Sequence, residues 1–382
     1  MHIGIDIRSL IEKTPSGVTE YTTQILTGLV RLDKENQYLL FYNSWHSLPP
    51  KFLDLLKYSN VSFKIFHWPN KLFNSSLTLF DFPRIDKLLG GVDLLFIPNL
   101  NFIAWSKKCK KVITVHDLSF ERYPSFYSSK GRYWHKITNP RKIFHEADKI
   151  IAVSENTKND LIKLYSINTN KIKVIYSGIN PDFFKVLDQT VLNVIKEKYK
   201  IIKPYIFTLG NLEPRKNIES LILGFDCLKR KYKIDYQFVI AGGEAWTQNK
   251  KIYDLAKKSY ISDGIRFLGY IPAEDKMALY QAANIFVYPS FYEGFGFPPL
   301  EAMASGVPVI CSDSSSLPEI VSNAVLLFDP YDINQLAETI HQVLTDDNLK
   351  RNLIEKGIEQ VKSFSWEKVA RETLELFKEV GI

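Results

Sequence analysis

Residues 288–308 read Tyr-Pro-Ser-Phe-Tyr-Glu-Gly-Phe-Gly-Phe-Pro-Pro-Leu-Glu-Ala-Met-Ala-Ser-Gly-Val-Pro, and no other stretch restricts the fold so tightly. The apolar run 284–288 reads as a short buried strand, and the adjacent Pro298 and Pro299 suit the first turn of a helix, where a missing N–H costs nothing. A strand, a glycine loop and a helix therefore follow one another directly. Gly294 and Gly296 let backbone amides come close to a ligand, and the helix that follows directs its positive end at the same place, as an anion prefers. Glu293 falls in the loop and Glu301 in what reads as the first helical turn. With seven residues between them they do not stack as an i, i+4 pair and address two parts of one extended ligand, as the two hydroxyl-bearing ends of a nucleotide sugar would require. Acidic groups also favour a first helical turn for purely structural reasons, so spacing alone leaves that reading open.

A chain of 382 residues with 45% hydrophobic content exceeds what one core usually supports, which predicts two domains. Cys109, Cys227 and Cys311 have neither disulfide nor zinc spacing, which fits a reducing cytoplasm. The N-terminal Met-His-Ile-Gly-Ile-Asp-Ile-Arg carries charge where a signal peptide needs an apolar run, and the apolar stretch 92–105 is broken by Pro98, Asn99 and Asn101. No transmembrane span is expected. Up to residue 185 there are 26 basic against 16 acidic residues, a charge of +10, and beyond it 23 against 26, a charge of −3. A basic first half fits an anionic surface, whether lipid or nucleic acid, and equally a merely solvated face.

In the first half, residues 2–7 read as a strand leading through Pro15-Ser-Gly into a helix whose apolar positions Val18, Tyr21, Ile25, Leu29 and Leu32 keep a helical period. Gly17, at the turn, could bring backbone N–H groups to a phosphate, though without G-x-G-x-x-G an ordinary turn fits as well. Further strands are predicted at 38–42, 61–66, 92–97, 111–115, 149–153 and 171–176, with Ser154 capping a helix to residue 165. Such alternation implies a parallel sheet covered on both faces, with ligands at the carboxyl ends of its strands. His116-Asp117, directly after the fifth apolar run, is the polar pair of interest there; in the bland reading Asp117 only caps local backbone. Residues 131–147 interleave Arg132, Lys136, Arg141 and Lys142 with Tyr133, Trp134, Ile137, Ile143 and Phe144. They could lie on a membrane surface or pack their aromatics inward, and Pro140 interrupts any single helix. A linker is expected near 182–200.

The second half repeats the pattern, with strands predicted at 205–209, 237–241, 266–268, 284–288, 307–311 and 325–328 and a terminal helix at 366–380. The loop after the first of these strands, Gly210-Asn-Leu-Glu-Pro-Arg-Lys-Asn, carries Arg215 and Lys216, a fork and a point charge of the kind oxyanions require. Gly242-Gly243-Glu244 ends the second strand with room for a ligand, and Gly269-Tyr270-Ile271-Pro272 follows the third.

The residues 293–308, with Glu-Pro-Arg-Lys-Asn at 213–217 and Val-Ile-Thr-Val-His-Asp-Leu-Ser-Phe at 112–120, resemble retaining nucleotide-sugar glycosyltransferases of family 4. The resemblance spans nearly the whole chain and is dense from about residue 209 to 319; 44–90 matches no motif. It implies the GT-B architecture, α/β with two Rossmann-like domains facing a central cleft: an acceptor-binding domain at 1–185, a donor-binding domain at 200–365, and a C-terminal helix at 366–382 crossing back to the first domain. It implies that Glu293 contacts the donor sugar and Glu301 the ribose, that Arg215 and Lys216 hold the diphosphate beside Gly210, Gly294, Phe295 and Gly296, and that Gly17 lies by the donor phosphates. His116 faces the donor sugar in that reading, and 269–272 border the base. On this division Glu293 matters little to a bare nucleoside diphosphate.

The expected reaction is transfer of a hexose from GDP-mannose or a UDP-hexose to a glycan or lipid-linked acceptor, with retention of configuration and no cofactor. The look of 115–120 and 212–217 favours mannose, as in bacterial mannosyltransferases of surface polysaccharide synthesis. No Asp-x-Asp occurs, so Arg215, Lys216 and the helix start near Pro299 stand in for a metal. The expected location is cytoplasmic, with an anionic membrane face as the open alternative, and no nucleic acid partner. The rivals are a dinucleotide oxidoreductase, which lacks its glycine fingerprint; a nucleic-acid-binding protein using the basic half, which would bind with a steep salt dependence; and a nucleotide-sugar epimerase of the same architecture, which would turn over donor without acceptor.

Overall fold

Stretches that are apolar at nearly every position cannot leave either face in water, and in this chain they become strands buried on both sides. Leu94–Ile97 (β4), Tyr205–Leu209 (β8) and Ile285–Tyr288 (β11) are buried at each residue, as parallel strands under two helical layers must be. The computed structural model describes residues 1–11, 16–46, 52, 54–243 and 249–381; Pro15 and Glu244 lie outside them. The chain divides into two compact units, Met1–Gly178 with Ser365–Ile382, and Ile179–Phe364.

The first unit holds a parallel sheet of order β3-β2-β1-β4-β5-β6-β7. Its strands are His2–Asp6 (β1), Gln37–Asn43 (β2), Val61–Phe66 (β3), β4, Lys110–Val115 (β5), Lys149–Ala152 (β6) and Ile172–Val174 (β7). The second holds β10-β9-β8-β11-β12-β13, adding Gln237–Ala241 (β9), Ile265–Gly269 (β10), Val309–Ser312 (β12) and Leu326–Phe328 (β13). In both sheets the strand order reverses beside the unit's first strand, at β1/β4 and at β8/β11. Ligands of such sheets bind where the order reverses, beyond the carboxyl ends of the strands. The fold is thus two Rossmann-like α/β layers.

The terminal helix Trp366–Gly381 belongs to the first unit, packed on the helix Gly17–Leu32. Trp366 meets Tyr21 edge-on at 5.7 Å and Phe377 meets Phe96 at 5.2 Å. Around Pro140 the chain forms two helices, Ser129–Thr138 and Pro140–Glu146, joined by Asn139 in the left-handed region. Ser154 caps Glu155–Tyr165 by accepting from Thr157 N.

Two expectations are corrected. The boundary between units falls at Gly178/Ile179 rather than 185. The segment 182–200 is also no linker, for it folds onto the second unit as the helix Gln189–Lys198 against Ala273–Gln281. Lys198 Nζ and the Tyr199 hydroxyl each donate to Asp275 at 2.5 Å, and Leu187 N donates to Gln281 at 3.0 Å. Polar side chains anchor this helix and only Ile195 is buried, so its apolar pattern is too thin to announce it.

Candidate active site

The reversal point of the second sheet collects the candidate residues. The loop after β8 ends in the short turn Pro214–Lys216, and Asn217, left-handed at φ 54°, starts the helix Ile218–Tyr232. Asn217 is buried and donates its amide to the carbonyls of Pro289 at 3.1 Å and Pro330 at 3.0 Å, while Phe291 N donates to Arg215 O at 2.9 Å. These bonds bring the ends of β8 and β11 together. The final Asn of Glu-Pro-Arg-Lys-Asn therefore acts as a clamp, leaving the two cations before it to do the chemistry.

Those cations meet Glu293. Arg215 Nη1 donates to Glu293 Oε2 at 2.7 Å and to Tyr292 O at 2.9 Å. Lys216 Nζ donates to Glu293 Oε1 at 2.7 Å and to the Tyr288 hydroxyl at 2.6 Å, and that hydroxyl donates to Glu293 Oε1 at 2.9 Å. Burial would raise the Glu293 carboxyl, but the charges of Arg215 and Lys216 and the Lys216 hydrogen bond outweigh it and hold the pKa at about 2. Burial, with Arg215 beside it, pushes the Lys216 ammonium below its ordinary value against the pull of Glu293. Burial and Glu293 push the Tyr288 phenol far up, so it stays protonated. Arg215 also pairs with the half-exposed Glu213, Nη2 to Oε2 at 3.5 Å, so two cations are balanced by two carboxylates, of which only Glu293 is buried.

The loop beyond Glu293 is fixed from behind. Ser315 Oγ accepts from Glu293 N at 2.7 Å, and Ser316 Oγ donates to the carbonyls of Glu293 at 2.9 Å and Phe295 at 3.1 Å. Gly294 is buried in this loop. Gly296 has φ 109°, a conformation that favours glycine, and a Cβ there would also press on Leu317 Cδ2 at 2.8 Å. The Phe295 ring packs on Phe297 at 5.2 Å and Phe364 at 5.7 Å, leaving its main chain as what it can offer a donor. Gly210 N donates to Ala241 O at 2.9 Å beside the Lys216 stem, and a Cβ on Gly242 would strike Gly210 O at 2.0 Å.

Glu301 forms a second cluster. Because Gly296 caps the helix Phe297–Ala304, Glu301 is its fifth residue and lies in the second turn, a correction to the first-turn expectation. Its oxygens accept from Lys276 Nζ at 2.5 Å and from the Tyr280 hydroxyl at 2.9 Å, and Lys276 lies 5.5 Å from the Phe183 ring centroid. Glu293 and Glu301 thus occupy separate environments, each with its own cation and tyrosine.

Gly17 and His116 belong to the first unit. Gly17 is the exposed first residue of its helix, capped by Ser16, and not a turn residue before it. His116 bonds through Nε2 to Pro98 O at 2.9 Å, and a carbonyl only accepts, so Nε2 carries the proton and Nδ1 is left as an acceptor. Burial lowers its pKa, keeping the ring neutral, and Tyr21 stacks edge-on at 4.7 Å. Asp117 accepts from Ser119 N at 2.9 Å and Ser119 Oγ at 2.5 Å, the local capping role. Tyr270, after β10, is exposed.

Sequence reasoning missed Tyr288, Tyr280, Lys276, Ser315 and Ser316. The serine run directly after β12, at the same sheet edge, was a readable signal for the last two. Lys276 and Tyr280 sit in a helix with nothing to mark them apart from spacing: i and i+4 place both on one face.

Residues 193–360 match the family model of glycosyl transferases group 1, and residues 15–183 that of glycosyltransferase family 4. An Escherichia coli protein named O-antigen chain mannosyltransferase B is 33% identical over 279 residues, covering 73% of this chain and 72% of that protein. Among solved structures, WaaG, a glycosyltransferase involved in lipopolysaccharide biosynthesis, superposes with TM-score 0.74 at 14% identity, over 98% of this chain and 99% of that one. HepE of Anabaena, solved with UDP and glucose, does so with TM-score 0.73 at 16% identity, over 99% and 100%. At such identities the two structures establish the GT-B fold. The sequence matches go further, and this chain belongs to the group 1 and family 4 glycosyltransferases, enzymes that transfer a glycosyl group from a nucleotide sugar.

Proposed function

We infer that the chain transfers mannose from a nucleoside diphosphate mannose to a hydroxyl of a glycan or lipid-linked acceptor, with retention of configuration. The observation that carries the reading is the Arg215–Glu293–Lys216 constellation at the β8/β11 reversal. A donor diphosphate offers the guanidinium and ammonium a more highly charged partner than either carboxylate, and the cations then neutralise charge as the diphosphate leaves. Glu293, ionised at any working pH, can only accept hydrogen bonds. Released from the cations, its oxygens accept from hydroxyls of the donor sugar. Glu301 holds the ribose, with Lys276 and Tyr280 orienting its carboxylate. The acceptor binds the first unit, where neutral His116 offers Nδ1 to a substrate hydroxyl. The acceptor oxygen bonds to the anomeric carbon from the face the diphosphate leaves, the bond from that carbon to phosphate oxygen breaks, and the acceptor proton passes to the departing phosphate. Mannose is supported by the name of the E. coli relative.

Among the described residues no helix is long and apolar enough to cross a membrane. A peripheral position is supported by exposed Leu79, Phe80 and Phe82 beside Lys142, which pairs with Asp81 at 3.3 Å, and by Tyr133, exposed on the helix Ser129–Thr138. A lipid surface would meet that apolar face, with the basic residues Arg132, Lys136 and Arg141 of the segment 131–147 adding attraction to anionic lipid, and equal binding to neutral and acidic vesicles would remove it.

Calorimetric titration with GDP, UDP and ADP, followed by transfer assays with the matching mannose or hexose donors, tests the main reading. One diphosphate should bind well ahead of the others and its sugar should be transferred only when acceptor is present. Donor turnover without acceptor would favour an epimerase, and binding of none of the three would remove the assignment.

A further inference from the structure

β2 and β3 are parallel neighbours whose last residues, Asn43 and Phe66, are paired in register. Their carboxyl ends therefore stop side by side, and each leads at once into an exposed tryptophan. Trp45 is 70% exposed and Trp68 37%. The core does not demand either indole at this place, yet the backbone beneath them is fixed with care. Asn43, fully buried, accepts from Trp68 N at 3.0 Å and donates to Trp68 O at 3.2 Å and to Asn70 Oδ1 at 2.8 Å. Ser44 N donates to Phe66 O at 3.0 Å, and His67 Nδ1 bonds to Ser44 O at 2.7 Å. One face of Trp68 leans on Phe66 at 4.9 Å and Phe73 at 5.2 Å, while Trp45 tilts toward the His67 ring at 5.9 Å. Because a carbonyl takes His67 Nδ1–H, Nε2 is an acceptor, and among the described residues neither exposed indole N–H donates to the protein.

We propose that Trp45 and Trp68, with His67 between them, form a stacking platform for pyranose rings of the acceptor glycan. The proposal rests on the reading that a glycan acceptor binds the first unit. A pyranoside carries an apolar C–H face and a polar rim, and an indole matches both with its ring and its N–H. Exposed rings held on pinned loops at the ligand-binding edge of a parallel sheet fit such a partner. Trp45 and Trp68 stand on strand-end loops and not on the face of a helix, the element that lies flat on lipid. His116 directly follows β5 on the same edge, three strands from β2, or about 14 Å at the usual strand spacing. The platform consequently takes sugars behind the reacting end, and the enzyme favours an acceptor chain over a single sugar.

The test uses the full chain with manno-oligosaccharides of increasing length as acceptors. Trp45→Ala and Trp68→Ala should raise KM for the longest acceptor on the order of tenfold, leave KM for the shortest one and kcat for both unchanged, and Trp45→Phe should recover part of the loss. Tryptophan fluorescence should shift on adding long oligosaccharide to the wild type and shift less in each variant, a readout independent of transfer. An equal change for long and short acceptors, or no fluorescence difference, would overturn the platform. So would variants that lose binding to anionic vesicles while oligosaccharide binding is intact, which would assign these rings to a membrane. If no donor sugar is transferred but the fluorescence shift persists, the transfer reading fails and the platform stands.

Discussion

Replacing Glu293 by Gln removes one negative charge from between two cations without changing the side chain's size. In the ligand-free chain both cations sit 2.7 Å from the carboxylate, and a diphosphate bound to the same cations must lie within several ångström of it. At an effective dielectric constant of about 20, two unit charges ~8 Å apart repel by about 2 kcal/mol, and salt screening halves this to about 1 kcal/mol. Glu293→Gln should therefore bind GDP or UDP roughly 5- to 30-fold more tightly. Transfer should fall, because the acceptor of sugar hydroxyls is weakened where charge develops. The ligand-free variant should also melt earlier, because Lys216 loses its carboxylate partner and Arg215 keeps only the more distant Glu213, and bound diphosphate should restore more melting temperature to it than to the wild type. Calorimetry with the diphosphate, a thermal melt with and without it, and a transfer assay together read all of this. Unchanged or weaker diphosphate affinity in a folded variant would show that Glu293 and the cations do not share one electrostatic site. The expectation that a bare diphosphate barely feels Glu293 gives way here, since that expectation treated the carboxylate and the cations as separate contacts.

Lys216→Ala should lose about 10²-fold or more in turnover by removing a preorganised cation from the leaving group, checked by steady-state kinetics on a variant with native circular dichroism. Glu301→Ala should weaken diphosphate and intact donor alike, by about 10- to 100-fold if it loses a charged hydrogen bond to ribose; an effect on transfer alone would contradict its placement. Glu293 also makes stability depend on pH. Its folded pKa of about 2 lies below the ordinary 4.5, so its contribution is complete above pH 4.5 and is lost as pH falls through 2. That amounts to about 3 kcal/mol, and urea titrations between pH 5 and pH 2.5 should show the gap between wild type and Glu293→Gln closing as the pH drops.

Most of the sheet was legible because a parallel strand buried on both faces has no polar alternation to confuse it. The expected 205–209 and 237–241 match β8 and β9 to the residue. Where burial is partial the signal thins, as in Gln189–Lys198, which one buried isoleucine and the Asp275 contacts hold in place. In the site, Glu293, Arg215 and Lys216 were legible as residue types at a strand–loop–helix junction, but their mutual pairing was not. That pairing is a long-range fact, Lys216 and Glu293 standing 77 positions apart in the sequence, created by the reversed strand order that sets β8 beside β11. Tyr288 was hidden for a related reason, since a tyrosine in an apolar strand looks like core until a carboxylate is found at its hydroxyl. The exposed pair Trp45 and Trp68 lies in the stretch where no motif could be matched, and only the register of β2 with β3 brings their loops together.

The most direct test of the account is the anomeric configuration of the transferred sugar. The purified chain is incubated with the α-linked nucleoside diphosphate mannose whose diphosphate binds best, together with a manno-oligosaccharide acceptor, and the new linkage is read from the anomeric one-bond carbon–hydrogen coupling by NMR. An α linkage, formed only when acceptor is present and lost in Lys216→Ala, is the predicted result. A β linkage would contradict attack from the face that the diphosphate leaves.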